Sequence, residues 1–104
     1  MINLTILGAT GSIGKNTLEL VRKSPEKFNV VGLTANKNVM KMIDLVNEFK
    51  PDLVAMADNE SYIKIKKKIK CDVYGGKEGI DFVASNQNSD TIVAGIVGYA
   101  GLSS

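Results

Sequence analysis

A glycine-rich segment close to the N-terminus has the residue types and spacing that could bind the diphosphate of a dinucleotide. The apolar run Ile2–Leu7 leads into Gly8-Ala9-Thr10-Gly11-Ser12-Ile13-Gly14, and a helical pattern follows at once. A helix N-terminus presents backbone N–H groups that have no partner inside the helix, together with a partial positive charge. Phosphate groups can lie against that end where no side chain blocks them, and the hydroxyls of Thr10 and Ser12 add donors. The order of strand, glycines and helix therefore predicts a dinucleotide site.

Each of the three glycines has a predicted task. Gly8 would allow the tight turn out of the strand, Gly11 would let the backbone approach the phosphates, and Gly14 would let the helix pack closely against the first strand. The spacing is Gly-x-x-Gly-x-x-Gly, because Ala9 stands where the commoner Gly-x-Gly-x-x-Gly pattern has its first glycine. An ordinary tight turn without a ligand is the alternative interpretation.

The segment Thr34-Ala35-Asn36-Lys37-Asn38 bears on which nucleotide would bind. NAD-selective domains place an Asp or Glu after the second strand, where it accepts hydrogen bonds from the ribose hydroxyls, and this segment has no acid. Lys37 would attract a 2′-phosphate, and Asn36 and Asn38 can donate hydrogen bonds to it. We therefore predict NADP rather than NAD, with an exposed loop lysine as the alternative.

Composition excludes several other classes of function. The 104-residue chain has no histidine and one cysteine, which removes an internal disulfide, the common zinc sites and the Ser–His and Cys–His nucleophile pairs. A net charge of +2 is too small to favour nucleic-acid binding. No apolar run is long enough to span a bilayer, and the N-terminus lacks a signal-type segment. We expect a cytoplasmic protein without a membrane partner.

Apolar periodicity predicts alternating strands and helices. Strands are predicted at residues 3–7, 28–34, 53–57, 71–74 and 91–97, and helices at 12–23, 39–49 and 77–85, with a further helix from a cap at Asp58 or Asn59 to about Lys70. Asn38 is predicted to cap the helix 39–49, and Lys50-Pro51 to end it. This alternation predicts an α/β fold, a Rossmann-like doubly wound sheet of about five mostly parallel strands with helices on both faces. Ligands bind at the carboxyl edge of such sheets, where the strand order reverses. The loops 8–14, 35–38 and 98–101 would lie along that edge.

Two helical faces are predicted from residue spacing. The first helix would pack through Ile13, Thr17, Leu20 and Val21, and the third through Tyr62, Ile65 and Ile69. The third helix also carries the lysine run 64–70. A nucleic-acid patch is one interpretation of this run, but no aromatic residues interleave with the lysines, so we favour a solvated face. Cys71 is predicted to be a small buried residue at the start of a strand.

Several segments resemble one family throughout the chain. They are residues 4–14, Thr17-Leu18, 24–28, 30–33, 36–39 and 94–102, the last reading Ala-Gly-Ile-Val-Gly-Tyr-Ala-Gly-Leu. Together these segments resemble the N-terminus of 1-deoxy-D-xylulose 5-phosphate reductoisomerases. The resemblance covers essentially the whole chain in order.

The resemblance implies an NADPH-dependent oxidoreductase of the non-mevalonate pathway of isoprenoid biosynthesis. Such an enzyme converts 1-deoxy-D-xylulose 5-phosphate to 2-C-methyl-D-erythritol 4-phosphate with a divalent metal, Mg or Mn, acts as a homodimer and is inhibited by fosmidomycin. By matching position, the cofactor-binding residues would be Thr10, Gly11, Ser12 and Ile13 at the pyrophosphate, and Asn36, Lys37 and Asn38 at the 2′-phosphate. Asn36 departs from the family, which commonly has glycine there, although asparagine tolerates left-handed backbone.

The resemblance also implies that residues 1–104 form an N-terminal NADP(H)-binding domain, a fragment without catalytic or metal-binding residues that is inactive alone. The sugar phosphate and the metal would bind only in the full-length enzyme. Two other functions stay open. One is the nucleotide-binding domain of a different NAD(P) enzyme, for which Tyr62-x-x-x-Lys66 has the spacing of a short-chain catalytic pair. The other is a non-catalytic nucleotide-sensing module.

Overall fold

The structure, a computed structural model, describes residues 2–94 and confirms the alternation of strands and helices. The elements are β1 Ile2–Leu7, α1 Ser12–Lys23, β2 Phe28–Ala35, α2 Val39–Phe49, β3 Leu53–Met56, α3 Asn59–Lys66, β4 Asp72–Gly75, α4 Gly76–Ala84 and β5 Thr91–Ala94. The bounds of α1 and α2 agree with the prediction at both ends. The part of the predicted last strand after residue 94, and the predicted loop 98–101, lie outside the described residues.

The strands form one five-stranded sheet in the order β4-β3-β2-β1-β5, and each neighbouring pair is parallel. The chain adds β2, β3 and β4 on one side of β1 and then returns to place β5 on the other side. The strand order therefore reverses at β1, whose carboxyl end leads into the glycine-rich turn. Crevices at such a reversal are where doubly wound sheets bind ligands.

Helices cover both faces of the sheet, as predicted. Three of them pack on one face through buried residues of α1, α2 and α3, which include Leu18, Met42 and Ile65. The fourth packs on the other face, where Ile80 and Val83 of α4 contact the β3 residue Ala55. The three connections from β1 to β4 all run toward the same side of the sheet, and the connection from β4 to β5 runs back. Because crossovers are right-handed, the helices of the first three lie on one face and the helix of the fourth lies on the other.

The predicted packing face of α1 is confirmed at Val21 but wrong at Ile13 and Leu20. Ile13 and Leu20 are 47% and 61% exposed, whereas Gly14, Leu18 and Val21 are buried. The glycine is the reason: it has no Cβ, so its side of the helix comes closest to the sheet. Residues one and two turns later on that side, Leu18 and Val21, then enter the core.

The third helix ends at Lys66, four residues earlier than predicted. The carbonyl of Ile65 accepts the N–H groups of Lys68 and Ile69 in a closing turn, at 2.9 and 3.2 Å. The predicted face is nevertheless confirmed, because Ile65 is buried and Tyr62 and Ile69 pack against the core.

Cys71 lies just before β4 and is half-buried rather than fully buried. Burial raises the pKa of its thiol, with smaller contributions from the negative charges of Asp72 and Asp52. The β4 strand then continues into α4 at Gly76 without an intervening loop.

Candidate functional site

The turn between β1 and α1 presents an uncapped helix N-terminus. Gly8 has φ of 77°, a left-handed conformation that favours glycine, and its carbonyl accepts the N–H of Gly11 at 3.0 Å. Gly11 is the N-cap residue in an extended conformation, and no side-chain hydrogen bond caps the helix there. The first helical hydrogen bond runs from the N–H of Lys15 to the carbonyl of Gly11 at 2.9 Å. The amides of residues 12–14 therefore have no partner within the helix and point out of its end.

Gly14 brings this helix end against the turn. A Cβ built on Gly14 would lie 2.4 Å from the carbonyl oxygen of Gly8 and 2.7 Å from the Cα of Ala9. Real Cβ atoms essentially never approach other atoms so closely, so no side chain fits without movement of the backbone. The predicted close packing of the helix at Gly14 is confirmed, but its nearest neighbours are Gly8 and Ala9 in the turn after β1 rather than the strand itself.

The end of β2 holds the glycine-rich turn in place. Thr34 is fully buried, and its Oγ1 accepts the N–H of Gly8 at 3.0 Å. Its carbonyl accepts the N–H of Ala9 at 2.7 Å. The turn after β1 is thus joined to the end of β2, directly before the loop that follows this strand, at the carboxyl edge of the sheet.

The loop after β2 carries the second predicted group of residues. Asn36, Lys37 and Asn38 are all exposed. Asn38 also caps α2, since its Oδ1 accepts the N–H of Lys41 at 3.2 Å, which confirms its predicted capping role. The structure therefore brings both predicted groups to one edge, each at the start of a helix.

Asp58 is a neighbour of this loop for which the sequence predicts only a helix cap. Its N–H donates to the carbonyl of Asn36 at 3.2 Å, and its Oδ2 accepts the N–H and the hydroxyl of Ser61 at 3.1 and 2.9 Å. These hydrogen bonds lower the pKa of the Asp58 carboxyl, and the positive charges of Lys37 and Lys64 lower it further. The proximity of Asp58 to this loop could be predicted from a parallel sheet in which β2 and β3 are neighbours, because the residues after both strands then lie side by side.

The Tyr62-x-x-x-Lys66 spacing does place two polar groups together, but away from the glycine-rich turn. The ammonium of Lys66 lies 3.2 Å from the hydroxyl of Tyr62. The ring of Tyr62 packs against Gly75 at the end of β4, where a Cβ would lie 2.6 Å from its Cγ. Since β4 is three strand positions from β1, about 14 Å at the usual strand spacing, the pair is not part of the same site.

The described residues do not fit a divalent metal. Within residues 2–94 no group of three His, Cys, Asp or Glu side chains comes together. In the same part of the chain, no helix has the length and apolar character needed to cross a membrane.

Comparison with known proteins assigns the family. A sequence model of 1-deoxy-D-xylulose 5-phosphate reductoisomerases matches residues 4–104. The 1-deoxy-D-xylulose 5-phosphate reductoisomerase of Clostridium acetobutylicum is 44% identical over a 107-residue alignment that covers 98% of this chain and 28% of the relative. The chain thus spans little more than a quarter of the length of such relatives.

Solved structures of the same family share the fold. A crystal structure of DOX-P reductoisomerase in complex with NADPH, fosmidomycin and magnesium superposes with a TM-score of 0.91 at 36% identity, covering 98% of this chain and 26% of that one. The Zymomonas mobilis enzyme in complex with NADPH gives a TM-score of 0.87 at 31% identity, covering 96% and 27%. On this agreement of sequence and fold, the chain belongs to the 1-deoxy-D-xylulose 5-phosphate reductoisomerase family.

Proposed function

We propose that residues 1–104 form the NADPH-binding domain of a 1-deoxy-D-xylulose 5-phosphate reductoisomerase. The observation that carries the proposal is the uncapped N-terminus of α1, which opens at the point where the strand order reverses. Two solved relatives with the same fold are complexes with NADPH, which supports this assignment of the ligand.

The diphosphate of NADPH would bind at the turn between β1 and α1. The amides of Ser12 and Ile13 would donate to its oxygens, and the hydroxyls of Thr10 and Ser12 would add two further donors. Gly11 would leave room for the phosphates, since a side chain there would stand between them and the helix end. The exposed side chain of Ile13 would cover one side of the bound cofactor.

The 2′-phosphate would bind at the loop after β2. Lys37 would supply a positive charge, and the side-chain amides of Asn36 and Asn38 would donate hydrogen bonds. Asn38 would use its NH₂ group, because its oxygen is engaged by the N–H of Lys41. These three residues account for the predicted preference for NADP over NAD.

In the full-length enzyme, NADPH would supply the hydride for reduction, and the overall reaction would yield 2-C-methyl-D-erythritol 4-phosphate for isoprenoid biosynthesis. This chain's own residues would bind and orient the cofactor at the edge of the sheet. The magnesium or manganese ion would be held by other residues, because the described ones do not fit a metal. The sugar phosphate would also be held by other residues, beside that ion. We also propose a cytoplasmic homodimer for the full-length protein.

Titration of the 104-residue chain with NADPH and NADH tests the proposal. We expect NADPH to bind more tightly, Gly11→Val to abolish binding of both nucleotides, and Lys37→Glu to remove the preference for NADPH. Lys27→Glu is the matched control, since this exposed lysine precedes β2 at the opposite edge of the sheet. Equal affinity for both nucleotides, unchanged by Lys37→Glu, would contradict the proposed 2′-phosphate site.

A further inference from the structure

The loop after β2 contains no acidic residue, but the fold places a carboxylate beside it from the next strand. We propose that Asp58 is a specificity-determining residue, whose carboxylate weakens the preference of the Asn36–Asn38 loop for a 2′-phosphorylated nucleotide. The inference rests on the proposed NADPH site and adds to it a residue that opposes binding of the phosphate.

Backbone hydrogen bonds fix Asp58 against the loop. The N–H groups of Ala57 and Asp58 donate to the carbonyls of Ala35 and Asn36, at 2.9 and 3.2 Å. The first contact is made to the last residue of β2, and the second lies beyond the ends of both strands, so together they extend the pairing of β2 with β3. The position of Asp58 relative to the loop is therefore set by the sheet.

Ser61 fixes the direction of the carboxylate. Its side chain is buried, with 6% of the residue exposed, and its hydroxyl lies 2.9 Å from Oδ2 of Asp58 and 3.3 Å from the carbonyl oxygen of Lys37. A serine hydroxyl has one proton, and the closer, charged acceptor makes the stronger hydrogen bond. Ser61 thus holds the carboxylate next to the backbone of the loop that would bind the phosphate.

The consequence for binding follows from charge. Hydrogen bonds from Ser61 are the main cause of the lowered pKa of the Asp58 carboxyl, and the positive charge of Lys37, attracted to the carboxylate, lowers that pKa further. A 2′-phosphate would have to approach the same lysine while being repelled by the carboxylate, whereas the 2′-hydroxyl of NADH carries no charge. Asp58 therefore acts against NADPH and leaves NADH nearly unaffected.

Neutral substitutions that keep the helix cap test this inference. Asn and Ser are N-cap residues as good as Asp, so Asp58→Asn and Asp58→Ser remove the charge and keep α3. We expect both variants to bind NADPH about three- to tenfold more tightly, the scale of an exposed charge pair in water, and to bind NADH with unchanged affinity. The gain for NADPH should shrink in 0.5 M salt, which screens exposed charges.

Asp52→Asn is the matched control, because this exposed aspartate precedes β3 at the opposite edge of the sheet. It should leave the ratio of the two dissociation constants unchanged. If both Asp58 variants bound NADPH with the original or a weaker affinity while the unaltered chain bound it, the inference would be overturned and the proposed function would stand. If the unaltered chain bound neither nucleotide, the proposed function would fail and the inference with it.

Discussion

The buried hydroxyl of Thr34 accepts the backbone N–H of Gly8 at 3.0 Å, and this contact joins the glycine-rich turn to the end of β2. The carbonyl of Thr34 accepts the next N–H, that of Ala9, at 2.7 Å. The glycine-rich turn is therefore supported by the neighbouring strand. Its conformation depends on Thr34, which follows Gly8 by 26 positions in the sequence.

Thr34→Val removes this acceptor and keeps the volume of the side chain. The N–H of Gly8 would lose its hydrogen bond; an unsatisfied buried donor costs about 1–3 kcal/mol, and we expect about 1 kcal/mol for this part-buried one. We expect the free energy of unfolding in urea to fall by that amount and NADPH to bind more weakly. Thr34→Ser is the control, since it keeps the hydroxyl. Equal losses for the valine and serine variants would show that packing, not the hydrogen bond, determines the effect.

Gly14→Ala tests the contact between α1 and the turn. The new Cβ would lie 2.4 Å from the carbonyl oxygen of Gly8, so the helix or the turn must move. Overpacking of this kind costs about 1–3 kcal/mol, which outweighs the gain of about 1 kcal/mol in helix propensity. Chemical denaturation together with NADPH titration should show losses in both stability and affinity.

Asn16→Ala is the matched control for that substitution, because Asn16 is exposed in the same helix. It should leave stability unchanged or raise it slightly through helix propensity. A Gly14→Ala variant as stable as Asn16→Ala would contradict the close packing of the turn.

The sequence predicted the parallel sheet and the glycine-rich turn well because both depend on local patterns. Short apolar runs indicated each strand. The turn was indicated by an apolar run that ends at Leu7, a glycine directly after it and a helical pattern a few residues later. The bounds of α2 followed from Asn38 as a cap and Lys50-Pro51 as an end.

The packing face of α1 could not be predicted in the same way. Apolar type favoured Ile13 and Leu20, but the backbone of Gly14 makes the closest approach, and glycine carries no hydrophobic signal. Asp58 was missed for a similar reason: its contact with Asn36 depends on which strands are neighbours. Both errors concern relations between elements, which residue type alone does not encode.

The lysine run should behave as a solvated surface. Lys67 and Lys68 are exposed beyond the end of α3. Replacing both with alanine should change the free energy of unfolding by no more than about 0.5 kcal/mol per residue and leave NADPH affinity unchanged. Titration with duplex DNA at several salt concentrations is the second measurement. Affinity that falls steeply with salt and is lost in the double variant would instead support a nucleic-acid patch.

The ion pair between Arg22 and Glu48 should make part of the stability depend on pH. Nη2 of Arg22 lies 2.7 Å from Oε1 of Glu48, and the guanidinium also lies over the ring of Phe49, 5.2 Å from its centroid. The hydrogen bonds from Arg22, assisted by its charge, lower the pKa of Glu48 below the usual 4.5. A lowered folded-state pKa contributes stability above the unfolded-state value, which is lost as pH falls through the folded-state pKa.

Glu48→Gln removes the charge of this partner. Both side chains are more than a third exposed, so we expect the free energy of unfolding at pH 7 to fall by only about 0.2–1 kcal/mol. The difference from the unaltered chain should diminish as the pH falls from 5 toward 2, because Glu48 then becomes protonated and neutral in the folded state too. Urea unfolding at pH 7, 4 and 2.5 measures this difference in the free energy of unfolding. Glu26→Gln is the control, because Glu26 is exposed. A difference that stayed constant over this range would show that the ion pair does not contribute, and that Glu48 stabilises the junction of α1 and α2 through packing alone.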